Sequence, residues 1–577
     1  MPCMTDIAAA SGPAPAPVSR AVAARGDARS IANVHGMTRA AAPRGRAALS
    51  ARTGRAQTAA ARCSLVFAVL TLAACQPAAT PEPLPPANAP RAAEAMEAAR
   101  THVAANEQAI VDELRALLAL PNVAANPADI RRNAEALVQM LERRGVAARI
   151  LETGDAPVSV YGELATPGAA RTLLFYAHFD GQPVDPPEAW ATPPFTPTLR
   201  SGRLEDGAPI VPWHNARYPL DDDMRIYARS ASDDKAPIVA MLAAIDALRA
   251  ANIPLSANIK FFLEGEEEAG SPHLARTLAT HRDALGSDIW IFGDGPIDPR
   301  GLPRVVLGVR GITSFRITVY GAASSLHSGH YGNVAPNPGA RLAHLIASMR
   351  APDGRILVDG LDADPPSREA LALAREGFDS AGMLAGPQIA ESESGESYGE
   401  SILRPALNVT QLSYGGTGAQ RNAIDPEASA GFDIRLTPGL TPDEARAAIE
   451  AHLRGQGYEL VEGPPTPEQR RAHARLARLE WNDLGYASAA APLDDPAVRR
   501  IVGVLRTATN DELRIAPMLG GSLPIAPIGE VLQTPFIIVP IVNADNNQHA
   551  PNENLRLREF RRGVELYAAL LAEGGRW

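Results

Sequence analysis

Beyond residue 75 the chain has no cysteine. The three it carries are Cys3, Cys63 and Cys75, so nothing downstream can form an intrachain disulfide or a thiolate metal site, and any metal must be held by histidine and carboxylate. Lysine is nearly missing as well, two against 53 arginines. A basic footprint is also absent. The net charge is −10 over 577 residues, and without the nine Arg and two Asp of residues 1–75 it becomes −17. That removes the case for nucleic-acid binding and leaves cationic partners unhindered. The apolar run Ser64 to Ala74 is too short to span a bilayer. The whole chain, 46% hydrophobic, is enough for two or three domains plus appendages.

The run Ser64 to Ala74 suits a signal-peptide h-region, and its ending Leu72-Ala73-Ala74-Cys75 resembles a bacterial lipobox, in which the cysteine becomes the lipidated first residue. An ordinary cleavable signal and a later start at Met37 are the alternatives. Gln76 rather than Asp after the cysteine implies, by resemblance to lipoprotein sorting, the periplasmic face of the outer membrane. The expected organisation is a signal peptide over 1–75 and a stiff Pro-rich tether over 76–92.

Order is expected from about Ala93. A helical pattern runs from there to Leu120 and stops at Pro121. A second helix has Asn126 as N-cap, Pro127 at N1 and Gly145 just past its end. Strands follow at Ala147 to Leu151, Val158 to Leu164 and Thr172 to Tyr176. Such alternation predicts an α/β sheet.

Three strand ends carry acidic chemistry. Ile259 to Leu263 delivers Glu264 and then Glu266, Glu267 and Glu268, carboxylates that repel one another and want a cation; in open α/β sheets, ligands bind beyond such ends. The third strand runs into His178 and Asp180. Two apart on an extended segment, these point the same way, so Asp180 can fix which His178 nitrogen faces a metal. Ser232-Asp233-Asp234-Lys235 precedes the apolar-period helix Ile238 to Leu248. Either Asp alone reads as a cap, but one of only two lysines beside them suggests a compact ammonium is needed there.

Jointly, His178-x-Asp180, Asp233-Asp234-Lys235 and Glu267-Glu268-Ala-Gly-Ser resemble the di-zinc aminoacylase/carnosinase superfamily of metallopeptidases, over nearly all of Ala93 to Trp577. The resemblance implies an α/β catalytic domain, a central mixed sheet flanked by helices, built from 93–308 and 490–577, with a smaller α+β lid and dimerisation domain inserted at 309–489. It implies two divalent metals, zinc first, with manganese or cobalt as alternatives. His178 and Asp294 would hold one, Glu268 and His549 the other, and Asp233 would bridge. Glu267 would be the general base for a bridging hydroxide, with Asp180 orienting His178. Lid residue His327 would reach into the partner subunit's site and hold the oxyanion, so a homodimer is implied. Asn422, Arg435, Gly521 and Ser522 fall where carnosinases bind the substrate carboxylate. Asn422 stands where Thr is usual, and Met518-Leu519 where Arg-Glu is usual. The insert Leu204 to Asp223 and the polar region Glu391 to Ser401 have no counterpart.

The resemblance implies a dipeptidase or aminopeptidase, since Asp rather than Glu at 294 is similar to the branch accepting a free amino terminus and Arg435 is placed to grip a carboxylate. An N-acyl amino acid deacylase is the alternative, and a decayed binding scaffold is the non-enzymatic one. The intact ligand set and Glu267 argue against decay.

Overall fold

Asn126 accepts hydrogen bonds from the backbone N–H groups of Ala128 and Asp129, and Pro127 opens the helix Pro127–Glu142, where its missing N–H would have had no intrahelical partner. The computed structural model describes residues 89–577 except 185, 363–364, 386, 417–420 and 483–484. Cys75 and tether residues 76–88 lie outside the described residues. The first helix, Ala89–Leu118, starts four residues before the expected Ala93, so the tether assigned to 76–92 is too long at its C-terminal end. Pro90 is tolerated in a first turn. Burial of Ala92, Ala95 and Ala99 and a 3.2 Å ion pair from Arg91 to Glu573 reward the extra turn. No described helix is long and apolar enough to cross a membrane.

An eight-stranded mixed sheet runs in the spatial order Ala147–Leu151, Ser159–Leu164, Asn258–Glu264, Thr172–His178, Ile289–Phe292, Phe536–Ile538, Arg304–Val306, Arg514–Ala516. The four middle strands from Asn258–Glu264 to Phe536–Ile538 are mutually parallel. They read as continuous apolar runs because both faces are covered. The helices Ala89–Leu118, Lys235–Ala250 and Leu557–Glu573 pack against one another on one side; Trp290, Tyr176 and Phe262 fill the other.

A second sheet is ordered Ala406–Ser413, Glu427–Leu436, Gly308–Tyr320, Leu476–Trp481, Glu459–Leu460. Its core stacks Phe315 on Phe432, ring centroids 4.7 Å apart, beneath helices Pro338–Met349 and Pro442–Gly455. The latter begins with a capping box between Thr441 and Glu444, which satisfies two orphan helix-end groups reciprocally. Strand Gly308–Tyr320 serves both regions. Its first residues pair with Ala489–Ala490 and Leu519–Ser522, and the rest with Glu427–Leu436 and Leu476–Trp481.

Candidate metal centre

Because the middle strands are parallel, they end along one edge. Thr172–His178 delivers His178 and Asp180, Asn258–Glu264 delivers Glu267 and Glu268, Ile289–Phe292 delivers Asp294, and Phe536–Ile538 leads towards His549. Asp233 arrives just before helix Lys235–Ala250.

Two donor sets result, each with its ligand atoms within 4.8 Å of one another: His178, Asp233 and Asp294, and Asp233, Glu268 and His549. Asp233 belongs to both. One of its oxygens lies 2.9 Å from His178 Nε2, and the other lies 3.1 Å from His549 Nε2. His549 Nε2 is also 3.3 Å from Glu268 Oε2. At its other nitrogen, His178 Nδ1 faces the backbone carbonyl of Asp180 at 3.2 Å and its carboxylate at 3.4 Å. A proton held there leaves the Nε2 lone pair free for a metal.

Burial and the neighbouring carboxylates work in one direction on the acids. Burial, then Asp294 and Glu268, push Glu267 well above the usual carboxylate range. Burial and Asp233 push Glu268 up to about 8 and Asp294 up to about 6. Asp233 goes the other way: burial would raise it, but the imidazoles of His178 and His549 hold it below its ordinary value. Three carboxylates and two imidazoles, with unrelieved acid–acid repulsion among the acids and Glu267 beside them, make a donor set that fits two divalent cations.

Several supporting residues were not assigned roles from the sequence. The Asp180 carboxylate accepts the backbone N–H groups of Glu267 (3.1 Å) and Glu268 (2.9 Å), so it shapes the acidic turn as well as facing His178. Buried Glu553 accepts from the N–H groups of Ser230, Ser232 and Asp233 and from Arg229. Gln182 donates to Glu268 (2.6 Å) and Gln548 to Asp233 (3.2 Å). The insert 204–223 docks through Glu205 on Asn547, in the loop that carries His549, and adjacent Arg203 pairs with Asp545. His549 itself has φ 62°, a strained left-handed conformation at a candidate ligand.

The expectation for Lys235 needs correcting. Its ammonium is fully buried and donates to the carbonyls of Leu117 and Leu120 at 2.9 and 3.0 Å, closing the end of the first helix. A compact cation is needed there, but for unsatisfied helix carbonyls.

A cavity of about 200 Å³ adjoins the cluster, lined by Asp233, Glu267, Asp294 and His549 on one side and by Gly521 and Ser522 on another. Arg435 donates to Ser522 Oγ at 3.0 Å. The structure does not bring His327 and Asn422 to this cluster. They lie together elsewhere: strand Leu326–His327 pairs with Ala423–Ile424, Ser328 N–H donates to the Asn422 carbonyl, and the exposed His327 ring accepts from Gly329 N–H.

Comparison with known proteins agrees with this geometry. The Beta-Ala-His dipeptidase of Rattus norvegicus is 27% identical over 436 residues, 72% of this chain and 80% of its own. The Cys-Gly metallodipeptidase dug1 of Schizosaccharomyces pombe is 23% identical over 461 residues, 75% and 86%. Among solved structures, an M20 family metallo-carboxypeptidase of Sulfolobus solfataricus superposes with TM-score 0.64 at 25% identity, covering 81% of this chain and 99% of that one. Human carnosine dipeptidase 1 superposes with TM-score 0.60 at 23% identity, covering 84% and 100%. Residues 174–573 match the family described as Peptidase family M20/M25/M40, and the chain belongs to that family.

Proposed function

We propose that the protein is a metal-dependent dipeptidase. The observation that carries this reading is the pair of donor sets sharing Asp233, with Glu267 beside them, outside both sets, at the wall of a cavity whose other side presents Ser522 held by Arg435. That arrangement puts a hydrolytic centre and a carboxylate grip at one small cavity. Dipeptidase names among the relatives support it.

In this reading His178, Asp233 and Asp294 hold one divalent cation, and Asp233, Glu268 and His549 the other, zinc first among those that suit such donors. The cations, when bound, supply Lewis acidity that lowers the pKa of water and polarises the scissile carbonyl. Glu267 takes the proton of the attacking water at its carboxylate and returns it to the leaving amine. Arg435 and Ser522 orient the substrate through its terminal carboxylate, and Asp180 keeps Glu267 and Glu268 in place through their amides. His327 serves the site of a second copy, as the resemblance implies, which makes the working unit a dimer through a lid over 309–489. The ending at Cys75 supports a lipid-anchored enzyme at the bacterial outer membrane, facing the periplasm.

The test is hydrolysis of Ala-Ala against N-acetyl-Ala by residues 76–577, with and without added zinc, beside Glu267→Ala. Metal-dependent cleavage of Ala-Ala that the substitution abolishes supports the reading. Cleavage of N-acetyl-Ala alone replaces it with the deacylase, and failure to bind metal with the decayed scaffold.

A further inference from the structure

We infer that the site selects dipeptides bearing an uncharged, apolar side chain next to the scissile bond, and that Leu519 is the residue that sets this preference. The inference rests on the dipeptidase reading. The charged or titratable side chains lining the cavity are Asp233, Glu267, Asp294 and His549, and all four are already committed to the cations or to proton transfer. Another part of the lining is apolar: Val306, Leu519, Leu523 and Ile538. A charged substrate side chain placed there would lose its water and, with Arg435 taken by the terminal carboxylate, would meet no partner, which is costly.

The floor of that part is rigid. Val306 and Ile538 are buried and sit opposite each other in neighbouring strands of the main sheet, so their spacing follows the sheet. Leu519 and Leu523 are both partly exposed, and of the two it is Leu519 that opens the strand Leu519–Ser522, whose Ser522 accepts from Arg435. Of the Met518-Leu519 pair that stands where carnosinases tend to have Arg-Glu, only Leu519 reaches the cavity; Met518 is buried against Ala374 and Leu403. At this partly exposed wall position, as at Leu523, the chain therefore presents no charge to the substrate. The volume limits size as well. About 200 Å³ equals roughly six or seven waters at ~30 Å³ each, below the ~300–1,000 Å³ of drug-sized pockets, and suits one aliphatic side chain with its backbone.

The experiment is kcat/KM of the metal-loaded full chain on Leu-Ala and Ala-Leu against the Asp and Lys counterparts at each position, for the wild type, Leu519→Glu and Leu519→Met. The expected result is a preference for Leu of ~10- to 100-fold at one position, the range pocket contacts of this kind supply. Leu519→Met should keep it, and Leu519→Glu should erase it against Lys. Charged dipeptides cleaved as well as Leu ones at both positions, or a ratio unmoved by Leu519→Glu, would overturn the inference. If no dipeptide is cleaved while N-acetyl-Leu outpaces N-acetyl-Asp, the dipeptidase reading fails and the pocket assignment stands. If neither series is cleaved, calorimetric binding of the same dipeptides to metal-loaded Glu267→Gln decides the ranking, and equal affinities refute it.

Discussion

The buried carboxylate of Glu553 accepts the backbone N–H of Asp233 at 3.0 Å, so the residue shared by both donor sets is held by an acid 320 positions away in the chain. The same carboxylate pairs at 2.8 Å with Arg229, which is equally buried. Glu553→Ala would strand that guanidinium, and breaking a buried pair on one side costs about 3–5 kcal/mol. Denaturant unfolding should show this loss. Equilibrium dialysis should show zinc affinity lowered by ~10- to 100-fold, as for other supports of metal ligands.

Glu267 should be separable from metal binding, since it belongs to neither donor set. Glu267→Gln is expected to keep the wild-type metal content by elemental analysis while turnover falls by at least ~10²–10⁴, the usual contribution of a general base. A parallel loss of metal would place Glu267 among the ligands instead.

Arg435 should act on substrates through their carboxylate. Losing a hydrogen bond to a charged group costs about 1.5–3 kcal/mol, so Arg435→Met should raise KM for a dipeptide by ~10- to 100-fold. The corresponding dipeptide amide should be nearly unaffected. Equal losses on both substrates would show that Arg435 only supports Ser522.

Mixing tests the dimer directly. His327→Ala and Glu267→Ala should each be nearly inactive alone. Dissociated and reassociated together, they should recover about a quarter of the wild-type sites, because random pairing leaves one intact site in each mixed dimer. Recovery of nothing would mean that His327 serves its own subunit, and a His327→Ala variant that is active alone would mean that it serves no site.

Away from the centre, pH should reveal one structural carboxylate. Burial would raise Glu113, but Arg144 and Arg143 outweigh it and hold the carboxyl below its ordinary value. A group lowered on folding adds stability above its unfolded value, near ~4.3 for glutamate, and loses it as pH falls through the folded value. Glu113→Gln should therefore melt at a lower temperature than wild type at pH 7, and the gap should close below about pH 4.

The candidate donor cluster was legible wherever a single apolar strand ran straight into one of its residues. His178, Glu267 and Glu268 come at the ends of the buried strands Thr172–His178 and Asn258–Glu264, which read as strands without context. The carboxylate grip came from resemblance, and the Arg435–Ser522 contact fits it. What hid was long-range. Nothing local to Asp180 announces two amides 87 and 88 residues later, and nothing around Glu553 announces Asp233. Lys235 misled for the same reason: its partners, Leu117 and Leu120, lie over a hundred residues upstream, while Asp233 and Asp234 stand beside it in the sequence. The first helix was begun too late because Pro90 looked like tether, although a first turn accepts proline.

Arg435 is paired across the ladder with Ile312, and Ser522 with Arg310. Both members of the grip thus hang from one strand, two residues apart, a span of about 6.6–6.8 Å along an extended chain. The strand is a ruler. Remodelling the insert 204–223 can alter who enters the cleft but not the gauge of its jaws, whereas a one-residue insertion between Arg310 and Ile312 would slip the register and open them. Redesign of the carboxylate grip therefore belongs in that short interval, and redesign of the rest of the cleft belongs elsewhere.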